Sequence, residues 1–229
     1  RELREGGRGS TPSRERQFVR SGLVVGQVGM ALVLLAAGAL VLQSLVNLHN
    51  VRSGIDPENV LTFNAYTPRS RYDDASITRF QRELTDRIAA IPGVTRVGGT
   101  TRVPLSTQGL NCSYTRAENA AVQVDDACLP TAHVLPGYFE VMRTPIISGR
   151  TFTEADNRPD ATGIVIDRVL ADKAFPGESA VGKRLLVRIR GPEPEWLDVI
   201  GVVEHQRHET LAADGREAIF CPDGFVGWG

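Results

Sequence analysis

The signatures by which a sequence usually announces catalysis are missing here. There is no G-x-x-x-x-G-K-[ST] loop, so ATP is not bound and hydrolysed by that route. No G-x-S-x-G elbow and no H-E-x-x-H helix occurs either. Cysteine is scarce: Cys112, Cys128 and Cys221 show no C-x-x-C spacing, which argues against a zinc ribbon or a thioredoxin-like redox site. Of the four histidines, His49, His133, His205 and His208, only "HQRH" brings two together. On a helix His205 and His208 would share a face, but they follow a predicted strand in a polar loop and lack a third ligand. No metal is expected. Asp125-Asp126 and the Glu154/Asp156 pair read as turns and caps rather than as an acid–base couple. No enzymatic activity and no cofactor are therefore expected. An excess of charge is missing too, because the net charge of −1 points to no nucleic-acid partner. There is no initiator Met, so a piece of a longer protein is expected.

What the chain does have is an asymmetric start. Residues 1–20 carry six arginines against three glutamates, an excess of +3, which leaves the remainder mildly acidic at −4. "RELREGGRGSTPSRERQ" has almost nothing apolar to bury and reads as a solvated basic linker, residues 1–20. Directly after it, "RQFVRSGLVVGQVGMALVLLAAGALVLQSL" contains no charge from Leu23 to Leu42. At 1.5 Å per residue that is roughly 30 Å of helix, the hydrocarbon thickness of a bilayer. A secretory signal would have an apolar region of about 7–15 residues and then a small-x-small cleavage site. Here the small residues Ala36–Ala39 lie inside the run and more of it follows. A core helix would show a polar face, and none is visible from Met30 to Leu42. The segment is read as a membrane span that extends past the bilayer, residues 21–52, with the lipid bilayer as a partner. Arg14, Arg16 and Arg20 on the N-terminal flank, against Arg52 with Asp56 and Glu58 on the other, place residue 1 in the cytoplasm and residue 60 outside. Gly22, Gly26 and Gly29 strip side chains from one side of the helix and form a candidate packing face. Glycine is also simply common in such helices.

Beyond the span, strand-like and helix-like patterns alternate, which predicts an α+β fold: a mixed α/β extracytoplasmic domain of strand–helix–strand units over residues 53–222. "VLTFNAYTP" (Val60–Pro68) reads as a strand. Asp73 or Asp74 then caps a helix with Ile77, Phe80, Leu84, Ile88 and Ile91 on one face, stopped by Pro92-Gly93. "VTRVGGTTRVP" (Val94–Pro104) reads as the next strand. The polar stretch from Leu105 to Asp126 suggests a hairpin or mobile lobe, with Cys112 and Cys128 at its ends. In an oxidising space these two could bridge a loop of about 16 residues and contribute on the order of 3 kcal/mol; two buried thiols are the alternative. "CLPTAHVL" predicts a strand and "PGYFEVM" a short helix with Tyr138, Phe139 and Met142 turned inward. "GIVIDRVLADKAFPG" switches from strand to helix with Asp167 as cap and Pro176-Gly177 as stop. "KRLLVRIRG", "WLDVIGVVEH" and "AIFCP" predict further strands.

Taken in order, these blocks resemble the MacB/FtsX-type permeases of ABC transporters, in the branch whose permease is duplicated. "LREGGRGS" resembles the cytoplasmic linker before the second half, and "SGLVVGQVGMALVLLAAGALVLQSLVNL" that half's first span. "GIDPENVLT", "RFQRELTDRIAAIPGV", "PGYFEVMRTPIISGRTFTEAD", "VIDRVLADKAFPGESAVGKRL" and "DVIGVVEHQR" resemble successive blocks of the MacB-like periplasmic core domain. The resemblance implies a permease component in the bacterial inner membrane, with its main domain in the periplasm. Its partners would be a separate ABC ATPase subunit and other permease helices or a second permease half. The implied function is mechanotransmission, in which membrane helices pass ATPase movement to the periplasmic domain, in exporters associated with antibiotics, peptides or lipoproteins. Two departures stand out. The family commonly has Asn where this chain has Asp167, and "EAIFCPDGFVGWG" runs out, so residues 223–229 read as a truncated tail without the family's three later helices. A single-pass extracytoplasmic sensor or ligand-binding module is the alternative function.

Overall fold

The structure is a computed structural model, and it describes residues 14–49, 51, 53–67, 73–105, 115–117, 129–190, 193–208 and 215–225. Two compact units divide the chain, Arg1–Val51 and Arg52–Gly229. In the first, the described residues form the helix α1 (Arg14–His49), of 36 residues. Its stretch Phe18–Leu48 is long and apolar enough to cross a membrane, and none of it is buried within the protein. An apolar surface on every side of the helix suits solvation by lipid.

The second unit is built on a mixed sheet. Its strands are β1 (Thr115–Ala117), β2 (Thr131–Val134), β3 (Ile146–Gly149), β4 (Gly163–Asp167), β5 (Arg184–Val187), β6 (Glu195–Val203) and β7 (Ile219–Pro222). The order is β1-β5-β6-β4-β7-β2, with β3 on β6. β6 and β4 run parallel, as do β7 and β2, while β4 and β7 are antiparallel. The nine-residue β6 carries β5 along Glu195–Asp198 and β3 along Gly201–Val203. That long strand is why two short, sequence-distant strands share one sheet.

Among the described residues three α-helices accompany the sheet, α2 (Asp74–Ala89), α3 (Tyr138–Val141) and α4 (Arg168–Ala174), and a 3-10 turn, Asp223–Phe225, follows β7. α4 begins where β4 ends because Asp167 accepts the Leu170 amide at 2.8 Å, the expected cap. Its Leu170, Ala171 and Ala174, followed by Phe175, cover one face of the sheet with Ile164, Ile166, Leu185, Leu197 and Ile219. On the other face Tyr138, Phe139, Met142 and Phe152 pack with Ala132, Val134, Val165, Val203 and Phe220. Successive residues of β4 and β7 thus enter opposite cores, and every residue of both strands is buried. A strand covered on both sides reads in sequence as an unbroken apolar run, as "GIVI" does.

α2 is capped by Asp73, whose carboxylate accepts the Ser76 amide at 2.9 Å. Ile77, Phe80, Leu84 and Ile88 are half-buried on one face, while Ile91 falls beyond the helix end and is half-exposed. The two strands expected around α2 are corrected. Residues 60–67 form no ladder, and Leu61, Phe63 and Tyr66 stand exposed. Residues 94–104 contribute a single bridge, Thr100 to Val134. Both stretches have strand-like composition, but among the described residues no neighbouring strand offers them a continuous hydrogen-bonding edge, and β propensity acts only through such a partner.

Candidate functional site

The residues that open the second unit are fixed at once to its core. Ser53 accepts the Arg207 amide through its carbonyl at 2.9 Å, and the Asp56 amide donates to the Met142 carbonyl at 3.0 Å. The Asp56 carboxylate pairs with Arg143 at 2.5 Å. The Glu58 amide, and after it the Arg143 guanidinium, hold that carboxyl below its usual range. Gly54 has φ +78, and a Cβ there would overlap the His205 carbonyl oxygen. Only glycine lets the chain turn this tightly against the loop after β6.

That loop, residues 204–208, is itself held at several points. The Glu204 amide donates to the Pro145 carbonyl at 2.9 Å, and the Leu105 amide to the His208 carbonyl at 2.9 Å. His205 Nδ1 lies 2.5 Å from Asp167 Oδ2, so the capping carboxylate of α4 also ties down the loop. Gln206 is fully buried. Its amide joins two sides: Tyr138 donates its hydroxyl proton to Gln206 Oε1 at 3.0 Å, and Gln206 Nε2 donates to Thr144 Oγ1 at 2.6 Å. Thr144 Oγ1 in turn donates to the Gly54 carbonyl at 3.2 Å. Burial pushes the Tyr138 phenol well above its usual range, against the opposing effect of its bond to Gln206.

Two buried histidines flank this arrangement. His208 packs against Phe220 with tilted rings whose centroids lie 5.7 Å apart, and among the described residues neither of its ring nitrogens finds a hydrogen-bond partner. Burial, reinforced by the positive fields of Arg102 and His205, pushes it down to about 4. His133 is likewise lowered by burial. Among the described residues no group of three His, Cys, Asp or Glu side chains is placed to bind an ion.

The other residues singled out from the sequence fall as follows. Gly22, Gly26 and Gly29 lie on α1, where an added Cβ would meet nothing within 4 Å. Cys112 and Cys128 lie outside the described residues, as do Asp125 and Asp126. Cys221 is a free thiol in β7, fully buried and pushed well up by that burial. Asp156 serves a turn, accepting the Thr153 amide and hydroxyl at 2.8 and 2.7 Å beside Arg150. Sequence reading overlooked Thr144 and Gln206, both ordinary polar residues. The available signal was Ser53-Gly54, where the apolar helix pattern gives way to a turn.

The family model described as the MacB-like periplasmic core domain matches residues 21–226. No curated protein is matched. One similar solved structure is the extracellular domain of the noncanonic ABC-type transporter YknZ from Gram-positive bacteria. It shares 21% identity, with 62% of this chain and 61% of that chain covered and a TM-score of 0.41. Another is the periplasmic region of MacB from Actinobacillus actinomycetemcomitans, at 18% identity, 63% and 56% coverage and a TM-score of 0.39. The chain thus spans about three fifths of the length of these structures.

Proposed function

Because the chain belongs to the MacB-like periplasmic core domain family, we propose that it is part of the permease component of an ABC-type transporter. In this reading α1 crosses the bacterial inner membrane with its arginine-bearing flank in the cytoplasm, and residues 53–225 form the periplasmic domain. The chain contributes no catalytic residue. A separate ATPase moves the membrane helices, and the domain receives that movement through the segment that follows α1. The observation that carries the proposal is the continuity of the family match through α1 and the sheet domain together, residues 21–226. The ties from Ser53, Gly54 and Asp56 to Arg207, Thr144 and Met142 support it physically, since they pass a displacement of residues 53–56 to the sheet domain.

The test is a flexible Gly/Ser insertion after Val51 in the intact permease. Transport is expected to be lost while expression and capture of the ATPase stay unchanged. Unaltered transport would remove the coupling reading, and purification without any ATPase would favour a single-pass sensor.

A further inference from the structure

We infer that Gln206 is the positioning residue that seats the segment after α1 on the sheet domain, and that Thr144 is its intermediary. This rests on the permease reading for its consequence, though not for its geometry. The string Tyr138–Gln206–Thr144–Gly54 runs in one direction: each hydroxyl or amide donates onward, and the Thr144 oxygen both accepts and donates. All three side chains are buried, at 1% exposure for Tyr138, 0% for Gln206 and 5% for Thr144. In the same loop His205 Nε2 and both ring nitrogens of His208 find no partner among the described residues, so the loop does not satisfy polar atoms indiscriminately. The Gln206 amide is committed at both ends.

A rigid, doubly committed amide fixes a distance. One end rests on Tyr138, which stacks edge-on against Phe139 at 5.2 Å, and Phe139 in turn packs edge-on against Phe220 of β7 at 5.0 Å. The other end reaches Gly54 through Thr144. Apart from the backbone bonds at Ser53 and Asp56, the segment's other tie is the Arg143–Asp56 pair, which is half-exposed and screened by solvent. A shift of Gly54 must therefore drag Thr144 and Gln206 with it or leave the buried Thr144 hydroxyl without its acceptor. Sub-ångström movement at the segment becomes a displacement of the Tyr138 side of the core.

The experiment uses the full chain in lipid nanodiscs and reads amide hydrogen exchange peptide by peptide. Gln206→Leu is expected to speed exchange in residues 53–58 by about tenfold, the scale of one lost buried hydrogen bond, with residues 195–203 of β6 unchanged. Thr144→Val, which keeps shape and removes the hydroxyl, is expected to match it. The double variant should add nothing further, and Thr144→Ser should behave as the unmodified chain. Unchanged exchange at 53–58, or equal acceleration throughout the domain, overturns the assignment. A second measurement on the assembled transporter, substrate moved per ATP hydrolysed, separates the two readings. A fall in that ratio in both variants supports both, whereas altered exchange with an unaltered ratio removes the coupling function and leaves Gln206 as the seat of the segment.

Discussion

His208 makes the stability of the sheet domain depend on pH between the ordinary imidazole range and about 4. In the unfolded chain its imidazole titrates near 6.5, and in the folded domain near 4. The neutral ring is therefore the folded form, and the unfolded state binds the extra proton between those values. The stability contributed by keeping it neutral is complete above pH 6.5 and is lost as pH falls toward 4. At 1.36 kcal/mol per unit, the loss amounts to about 3 kcal/mol by pH 4. The assay is urea unfolding of the full chain in detergent, followed by tryptophan fluorescence at half-unit steps from pH 8 to 4 and compared with His208→Leu. Neither ring nitrogen has a partner among the described residues, so the variant should cost little at pH 7.5. Its stability should then fall less steeply than that of the unmodified chain, and the gap between the curves should open below pH 6.5. His133, also held low, leaves a residual slope in both proteins. Asp223, whose carboxyl is raised by burial, acts with the opposite sign and cancels in the comparison. Parallel curves down to pH 4 would refute the reasoning.

Replacing Asp167 by Ala removes the α4 cap and the partner of His205 together and should cost about 1–3 kcal/mol, whereas Asp167→Asn should retain most of the cap, as chemical denaturation will show. Gly54→Ala forces a Cβ against the His205 carbonyl from a positive φ and should destabilise the domain by about 1–3 kcal/mol in the same assay. Leu170→Ala, at a fully buried position of α4, should cost about 2–5 kcal/mol. Cys221 should resist alkylation until the protein is denatured. Labelling of Cys112 and Cys128 with and without reductant decides between a bridge and two thiols.

Much of the architecture was legible because its causes are local. The 20 uncharged residues from Leu23 to Leu42 need no partner to demand an apolar solvent. Asp73 and Asp167 announce their helices because a carboxylate reaches an amide three residues ahead wherever the rest of the chain lies. The runs "GIVI" and "WLDVIGVV" are strands for the same kind of reason. Val60–Pro68 shows the limit, since its residues favour extension but a strand exists only when a second edge pairs with it.

Gln206 was not legible at all. In "HQRH" it is one more polar residue after a strand, the pattern of a solvated loop. It is buried because Tyr138 and Thr144, 68 and 62 residues away, converge on its two ends. The sequence by itself determined that an apolar helix precedes a mixed α/β domain, and where its capped helices start, since periodicity and capping act over one or two turns. Only the tertiary structure decided that β6 would carry β3, β4 and β5, and that the loop after it would grip Ser53 and Gly54. Those are contacts between distant segments, and their energy depends on packing that no local pattern records.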